Sequence, residues 1–168
     1  MKQSLILNND AIQQKTRRIA YQIVENNYDE KEMVIIGILP NGFEYAEMLK
    51  KEIKAMSDIK ISLHALTINK KKPLGSAIHV DLDKNTLDNK TVLLVDDVAN
   101  TGKTMYYALK PIMEFTPKKV QIAVLVDRQH KLFPISSDFV GLSLSTTMQE
   151  HIHVVFDNTH NNSSVYLQ

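Results

Sequence analysis

Apolar residues follow two spacings along this chain, one typical of helices and one typical of buried strands. Helical spacing predicts helices over residues 12–24, which follow the possible capping residues Asn8, Asn9 and Asp10, and over residues 43–53 and 103–115. Continuous or alternating apolar runs predict strands over residues 33–39, 59–68, 92–95, 120–126 and 154–156. Strands that alternate with helices favour a parallel sheet covered on both faces. The predicted fold class is therefore α/β, with a central, mainly parallel sheet flanked by helices.

The composition is that of one ordinary globular domain. The chain has 168 residues, of which 43% are hydrophobic and 23% are charged, which excludes a disordered or fibrous protein. A net charge of +1 gives no general attraction to nucleic acid or to an anionic membrane. The absence of cysteine excludes a disulfide framework and a thiolate nucleophile. Residues 1–10 lack the layout of a signal peptide and no apolar run is long enough to span a bilayer, so we expect a single domain over residues 1–168, in the cytoplasm.

The segment 92–104 carries the clearest chemical signal. Its apolar strand delivers Asp96 and Asp97 to the carboxyl end of the sheet, where ligands bind in such folds. A short loop with two threonines and Gly102 then opens a helix, and backbone N–H groups in such a turn favour an anion. The two carboxylates would repel a phosphate, but they suit sugar hydroxyls or a hydrated Mg²⁺. Together these features indicate a site for a ribose phosphate.

Other interpretations of this segment are weaker. Gly102-Lys103-Thr104 matches the end of a nucleotide P-loop, but that motif needs a glycine where Asp97 stands. Phosphoacceptor signalling domains also carry acidic pairs at strand ends, but near the start of the chain. A plain strand–turn–helix with surface acids would leave the coincidence of acids, hydroxyls and glycine unexplained.

The segment 92–104 resembles the signature that binds phosphoribosyl pyrophosphate (PRPP) in type I phosphoribosyltransferases: an apolar strand, an acidic pair and then Thr-Gly-x-Thr. Three further stretches resemble the family of bifunctional pyrimidine-operon regulators and uracil phosphoribosyltransferases: residues 12–26, residues 121–130 and residues 134–141. The resemblance covers most of the chain. It implies the type I phosphoribosyltransferase fold, with a flexible loop at about 69–77 and a small hood formed by about 128–150 and the N-terminal segment.

The resemblance also implies the reaction and the residues that perform it. A phosphoribosyltransferase of this kind transfers the 5-phosphoribosyl group from PRPP to a nucleobase, here with uracil favoured, and releases pyrophosphate. The catalytic pair would be Asp96 and Asp97, which hold the ribose hydroxyls; Mg²⁺ would be held mainly through PRPP, with either aspartate reaching it through water. The other predicted contacts are the 5′-phosphate with Asn100, Thr101, Gly102, Lys103 and Thr104, the pyrophosphate with Leu39, Pro40, Asn41 and Gly42, and the base with Asp127, Arg128 and Val140. The family also implies a homodimer or a larger homo-oligomer.

The pyrophosphate loop departs from the family pattern. It usually carries Lys or Arg beside glycine, whereas here it reads Leu39-Pro40-Asn41-Gly42 and has no cationic side chain. The superfamily often has a cis peptide in this loop, and X–Pro bonds adopt the cis form far more easily than others. We therefore predict a cis Leu39–Pro40 bond. In the flexible loop, Lys70, Lys71 and Lys72 would supply the missing charge toward pyrophosphate; the alternative is that they are only a solvated surface run.

A second departure concerns the base. Purine-specific relatives carry Asp at the position of Asn100, where it acts as a base, and an Asn side chain takes up no proton at neutral pH. This favours a pyrimidine as the acceptor base.

The alternative function is a catalytically weak, nucleotide-sensing regulator that binds pyrimidine-operon messenger RNA. The sequence disfavours RNA binding, because the net charge is close to zero and no aromatic residues stand among the basic ones to stack on RNA bases. The polar composition of residues 158–164 predicts that this end of the chain is frayed.

Overall fold

The computed structural model describes residues 3–145, 150–157 and 162–168. Its helices are α1 (Asn9–Asn26), α2 (Asn41–Met56) and α3 (Lys103–Ala108), with a 3-10 turn at Ile112–Glu114. Its strands are β1 (Ser4–Leu7), β2 (Glu32–Ile38), β3 (Lys60–Thr67), β4 (His79–Val80), β5 (Thr91–Ala99), β6 (Lys119–Arg128), β7 (Phe139–Leu144), β8 (Ile152–Val155) and β9 (Ser164–Leu167). No helix in these ranges is long and apolar enough to cross a membrane.

The predicted parallel sheet forms the centre of the molecule. Six strands lie in the order β4-β3-β2-β5-β6-β7, and only the β3–β4 pair is antiparallel. Register places the carboxyl end of β2 beside the acidic pair, since Gly37 pairs with Val95, and places Asp127 of β6 beside the end of β5, since it pairs with Ala99. The loops that follow β2, β5 and β6 therefore emerge at the same end of the sheet, which places the candidate residues together.

Alternate residues of each central strand enter opposite cores, as the twofold period of a strand requires. Met33 and Ile35 of β2 pack with the apolar faces of α1 and α2, while Val34 and Ile36 pack on the other side with α3 and the 3-10 turn. Because both faces are covered, β2 and β5 read as continuous apolar runs rather than as alternating ones.

The helix boundaries partly follow the predictions. Asn8 caps α1, since its side-chain Oδ1 accepts a hydrogen bond from the N–H of Ala11 at 2.9 Å. The predicted helix over 103–115 is wrong in its second half, because α3 ends at Ala108 and only the 3-10 turn follows. Pro111 stands between them; it has no N–H to continue the helical hydrogen bonds.

A second, smaller sheet joins the two ends of the chain. It is antiparallel, in the order β1-β9-β8, with Ser4 opposite Leu167. The expected frayed end is wrong where it can be tested, because Ser163 and Ser164 are buried and Ser164 opens β9. Residues 158–161 of that tail, and 146–149 of the expected hood, lie outside the described residues.

Candidate active site

The acidic pair lies at the carboxyl end of β5 and is largely buried. Asp96 is 2% exposed and Asp97 is 9% exposed. The backbone N–H of Asp97 donates to Oδ1 of Asp96 at 3.0 Å, which fixes the first carboxylate against the strand. Lys70, which follows β3, donates from Nζ to both carboxylate oxygens of Asp96 at 3.0 and 3.2 Å, and lies 3.8 Å from Oδ1 of Asp97. The structure thus brings the predicted acids and one predicted lysine into direct contact.

The surroundings of Asp96 disfavour its charged form. Burial raises the pKa of Asp96 well above its usual value, and the nearby charge of Asp97 raises it further. The ammonium of Lys70 acts in the opposite direction and lowers the pKa of Asp96, but does not cancel the rise. A ligand that donates hydrogen bonds to these oxygens would therefore relieve an unfavourable burial of charge.

The loop after β2 lies directly against the acidic pair. The predicted cis bond between Leu39 and Pro40 is confirmed. Nδ2 of Asn41 donates to Oδ2 of Asp97 at 2.9 Å and to the carbonyl oxygen of Val154 at 3.1 Å. The predicted pyrophosphate loop and the predicted ribose-binding pair are thus linked by a direct hydrogen bond.

Gly42 allows this close approach of α2 to β5. A Cβ atom at Gly42 would lie 2.8 Å from Cα and from Oδ1 of Asp96, nearer than such atoms come in proteins. Any side chain at position 42 would therefore displace α2 or the acidic strand. The need for glycine in this loop is steric.

The loop of residues 100–104 forms a small cleft with the end of β5, as a phosphate-binding turn would. Gly102 has φ of 82°, in the left-handed region that glycine adopts readily, and it precedes α3. The carbonyl oxygen of Thr101 accepts from the N–H groups of Leu132 and Phe133 at 2.9 and 3.1 Å. The segment after β6 therefore holds the back of the loop and leaves its front open to a ligand.

The predicted base contacts lie beside this loop, at the end of β6. Nη1 of Arg128 donates to Oδ1 of Asn100 at 3.1 Å, which joins the base side to the phosphate side. Oδ1 of Asp127 accepts from Nζ of Lys131 at 2.7 Å and from Oγ of Ser137 at 3.3 Å. Lys131 also donates to the carbonyl oxygen of Arg128 at 2.7 Å.

Val140, the third predicted base contact, lies farther down the sheet. On β7 it pairs with Val124, whereas Asp127 pairs with Ser143. A separation of three residues along a strand is about 10 Å. The structure therefore does not bring Val140 level with Asp127. Its carbonyl oxygen instead accepts from Nη2 of Arg18 at 2.8 Å.

The three consecutive lysines have different surroundings. Lys70 reaches the acidic pair, while Lys71 and Lys72 line a shallow cleft with Lys103 and Tyr107. Oδ1 of Asn69 accepts from the N–H groups of Lys71 and Lys72 at 3.1 and 3.0 Å, which holds residues 69–72 in a turn.

The contacts that were not predicted from the sequence include one made by Lys131 and one made by the carbonyl of Val154. Lys131 stands four residues after Asp127, and opposite charges at that spacing were its only signal. The contact of the Val154 carbonyl with Asn41 left no signal, because a backbone oxygen carries no residue-specific pattern.

The donors present fit a magnesium ion carried by a substrate better than a resident metal. In the described ranges, no group of three or more His, Cys, Asp or Glu side chains could hold a metal ion. Mg²⁺ commonly keeps several waters and uses one or two carboxylates together with substrate phosphates. Asp96 and Asp97 meet the protein's share of that requirement.

Comparison with known proteins points to one family. The model for the phosphoribosyl transferase domain matches residues 2–160. The bifunctional protein PyrR of Nostoc punctiforme is 35% identical over 96% of this chain and 94% of its own length. The bifunctional protein PyrR of Macrococcus caseolyticus is 30% identical over the full length of both chains.

Solved structures show the same fold. The hypoxanthine-guanine phosphoribosyltransferase of Bacillus anthracis superposes with a TM-score of 0.72 at 20% identity, over 84% of this chain and 82% of that one. The hypoxanthine phosphoribosyltransferase of Trypanosoma cruzi superposes with a TM-score of 0.74 at 16% identity, over 96% and 95%. The fold predicted from the sequence is confirmed.

Proposed function

This chain belongs to the type I phosphoribosyltransferases and, within them, to the PyrR family, and from that premise we propose that it transfers the 5-phosphoribosyl group of PRPP to uracil. The products would be uridine 5′-monophosphate (UMP) and pyrophosphate. The observation that carries the proposal is the position of Asp96 and Asp97, buried at the end of β5 and followed at once by the phosphate-type turn. Carboxylates beside such a turn match the hydroxyls and the phosphate of one ribose 5-phosphate.

In the proposed reaction, a ring nitrogen of uracil forms a bond to the anomeric carbon of PRPP while the bond from that carbon to the pyrophosphate oxygen breaks. The electron pair leaves with pyrophosphate, and the proton of the uracil nitrogen passes to pyrophosphate or to solvent. Asp96 and Asp97 hold the ribose hydroxyls, and the turn at residues 100–104 holds the 5′-phosphate. The chain thus acts mainly by orienting the two reactants and stabilising charge, which lowers the barrier without a covalent intermediate.

Mg²⁺ would belong to this site together with PRPP. Asp96 and Asp97 are the residues that would hold it, directly or through water. When bound, the ion neutralises the charge that develops on the departing pyrophosphate.

Asn100 supports a pyrimidine as the acceptor. The guanidinium of Arg128 can only donate hydrogen bonds, so the side-chain oxygen of Asn100 faces it and the amide nitrogen remains a donor for the ligand. Uracil offers carbonyl oxygens that accept such a bond. An amide cannot remove a proton from a purine ring, which makes a purine the poorer substrate.

A pyrophosphate-release assay tests the proposal. Purified protein, PRPP and Mg²⁺ are mixed with uracil, orotate, hypoxanthine, guanine, xanthine or adenine in turn. We expect pyrophosphate release that depends on uracil and that falls on the order of 100-fold in Asp97→Ala. The control is Asp58→Ala, because Asp58 is an exposed acid that precedes β3, at the opposite end of the strands. Release with a purine alone would reject uracil as the substrate.

One observation favours a second candidate function, a nucleotide sensor. The pyrophosphate loop has no cationic side chain, and Asn41 is already bonded to Asp97, so nucleotide binding depends less on this loop than turnover does. A sensor would bind UMP tightly and would release no pyrophosphate from PRPP with any of the bases. Binding of pyrimidine-operon RNA that changes with UMP would then identify its output.

A further inference from the structure

Lys70 occupies the position from which the acidic pair would receive a ligand. Its ammonium contacts both oxygens of Asp96 and approaches Asp97, and its side chain is 37% exposed while that of Asp96 is 2% exposed. Lys70 lies in the loop between β3 and β4, outside the strands that carry the rest of the site. A buried carboxylate is therefore neutralised by a cation that a loop displacement would remove.

Oδ1 of Asp96 cannot serve Lys70 and a ribose hydroxyl together. It accepts from the N–H of Asp97 and from Lys70, which occupies both of its lone pairs, and Oδ2 also accepts from Lys70. A ribose hydroxyl or hydrated ion bound at Oδ1 would have to displace the ammonium. The displaced charge would then be free beside the loop of residues 39–42, where pyrophosphate is expected and no cationic side chain exists.

We propose that Lys70 is an exchangeable counter-ion: it pairs with Asp96 in the ligand-free protein and transfers to the pyrophosphate group when PRPP takes its place. This inference rests on the proposed binding of PRPP and names the residue that replaces the missing cation of the pyrophosphate loop. Lys70 contacts Asp96, whereas Lys71 and Lys72 line the cleft beside Lys103 and Tyr107, so the role falls to this one residue of the run.

The exchange predicts opposite effects on two ligands that differ only in the pyrophosphate group. Ribose 5-phosphate competes with Lys70 and gains nothing from it, so Lys70→Gln should bind it more tightly, by about threefold. PRPP loses its cationic partner, so the same variant should bind it about tenfold more weakly, the usual scale of one charge-assisted hydrogen bond. A merely structural role for Lys70 would shift both affinities in the same direction.

Isothermal titration calorimetry with ribose 5-phosphate and with PRPP, each with Mg²⁺, measures both affinities. The test variant is Lys70→Gln. Lys70→Arg keeps the charge and should keep the preference for PRPP. The control is Lys54→Gln, because Lys54 is an exposed lysine in the last turn of α2, far from the acidic pair. The exchange is supported if the affinities for ribose 5-phosphate and PRPP shift in opposite directions in Lys70→Gln and stay unchanged in Lys54→Gln.

Shifts in the same direction, no shift, or a Lys70→Arg variant that behaves like Lys70→Gln would overturn the exchange and leave the proposed function standing. If the unmodified protein binds neither ribose 5-phosphate nor PRPP, the proposed function is overturned, and the exchange with it.

Discussion

At the scale of single residues, Asp96 is a carboxylate in a place where its charge is costly. Its folded-state pKa is raised by burial and by Asp97, so ionised Asp96 disfavours the folded state at pH values above that pKa. We predict that Asp96→Asn raises the Tm by a few degrees at pH 8 and weakens PRPP binding on the order of 100-fold. Functional sites often lose activity when a substitution makes them more stable. Thermal melting and calorimetry measure the two effects.

The sign of the pH dependence tests the cause. As the pH falls from 8 toward 4, Asp96 takes up a proton in the folded protein first, and the unfavourable charge disappears. The advantage of Asp96→Asn in Tm should therefore shrink toward zero at low pH. An advantage that grew as the pH fell would contradict the raised pKa.

Asn100 is the residue at which base preference is tested. In Asn100→Asp, the new carboxylate keeps the hydrogen bond from Arg128 and can also accept a proton. We predict a fall in kcat/KM for uracil and a rise for hypoxanthine, each by about tenfold. Steady-state kinetics with both bases measures the ratio, and Asn26→Asp, at the end of α1, is the control. An unchanged ratio would show that Asn100 does not select the base.

At the scale of the elements, the contact between α2 and β5 depends on Gly42. The Cβ of Gly42→Ala would lie 2.8 Å from backbone and side-chain atoms of Asp96, so the helix must shift. We predict a loss of about 1–3 kcal/mol in the free energy of unfolding, with weaker PRPP binding. Denaturant unfolding measures it against Glu47→Ala, an exposed position of the same helix. Equal stability of the two variants would mean that the interface has room for a methyl group.

The sequence predicted the elements whose signal is local. Continuous apolar runs marked β2, β5 and β6, and the acidic pair with its glycine turn marked the centre of the site. Strands β1, β4, β7 and β9 were missed because two to six residues beside loops carry too little periodicity. The contacts of Lys70 and Lys131 with their aspartates depend on loop geometry, which the sequence does not show. Val140 was expected near the base from the family resemblance, but its distance from Asp127 is set by strand register.

At the scale of the whole molecule, the small sheet of β1, β9 and β8 ties both ends of the chain to the main core. Val165 of the central strand β9 is fully buried in the core that also holds α1 and α2, whereas Val155 of β8 is 38% exposed. We predict that Val165→Ala lowers the free energy of unfolding by about 2 kcal/mol and that Val155→Ala lowers it by less than about 1 kcal/mol. Denaturant unfolding compares them; equal losses would show that the small sheet is not part of the cooperative core.

This arrangement was beyond sequence reasoning. Ser4 pairs with Leu167 across almost the entire chain, and nothing in either short segment identifies its partner. The main sheet was predictable because its repeated strand–helix units determine a parallel arrangement. The homo-oligomer and the cytoplasmic location stay predictions.

The central claim is that this chain forms a bond between the anomeric carbon of PRPP and a nitrogen of uracil. NMR of PRPP labelled with ¹³C at that carbon, incubated with ¹⁵N-labelled uracil, Mg²⁺ and the protein, observes the bond directly. We expect the PRPP signal to be replaced by one that shows a one-bond ¹³C–¹⁵N coupling, and this replacement to be lost in Asp97→Ala. An unchanged PRPP signal, or conversion to ribose 5-phosphate alone, would contradict the claim.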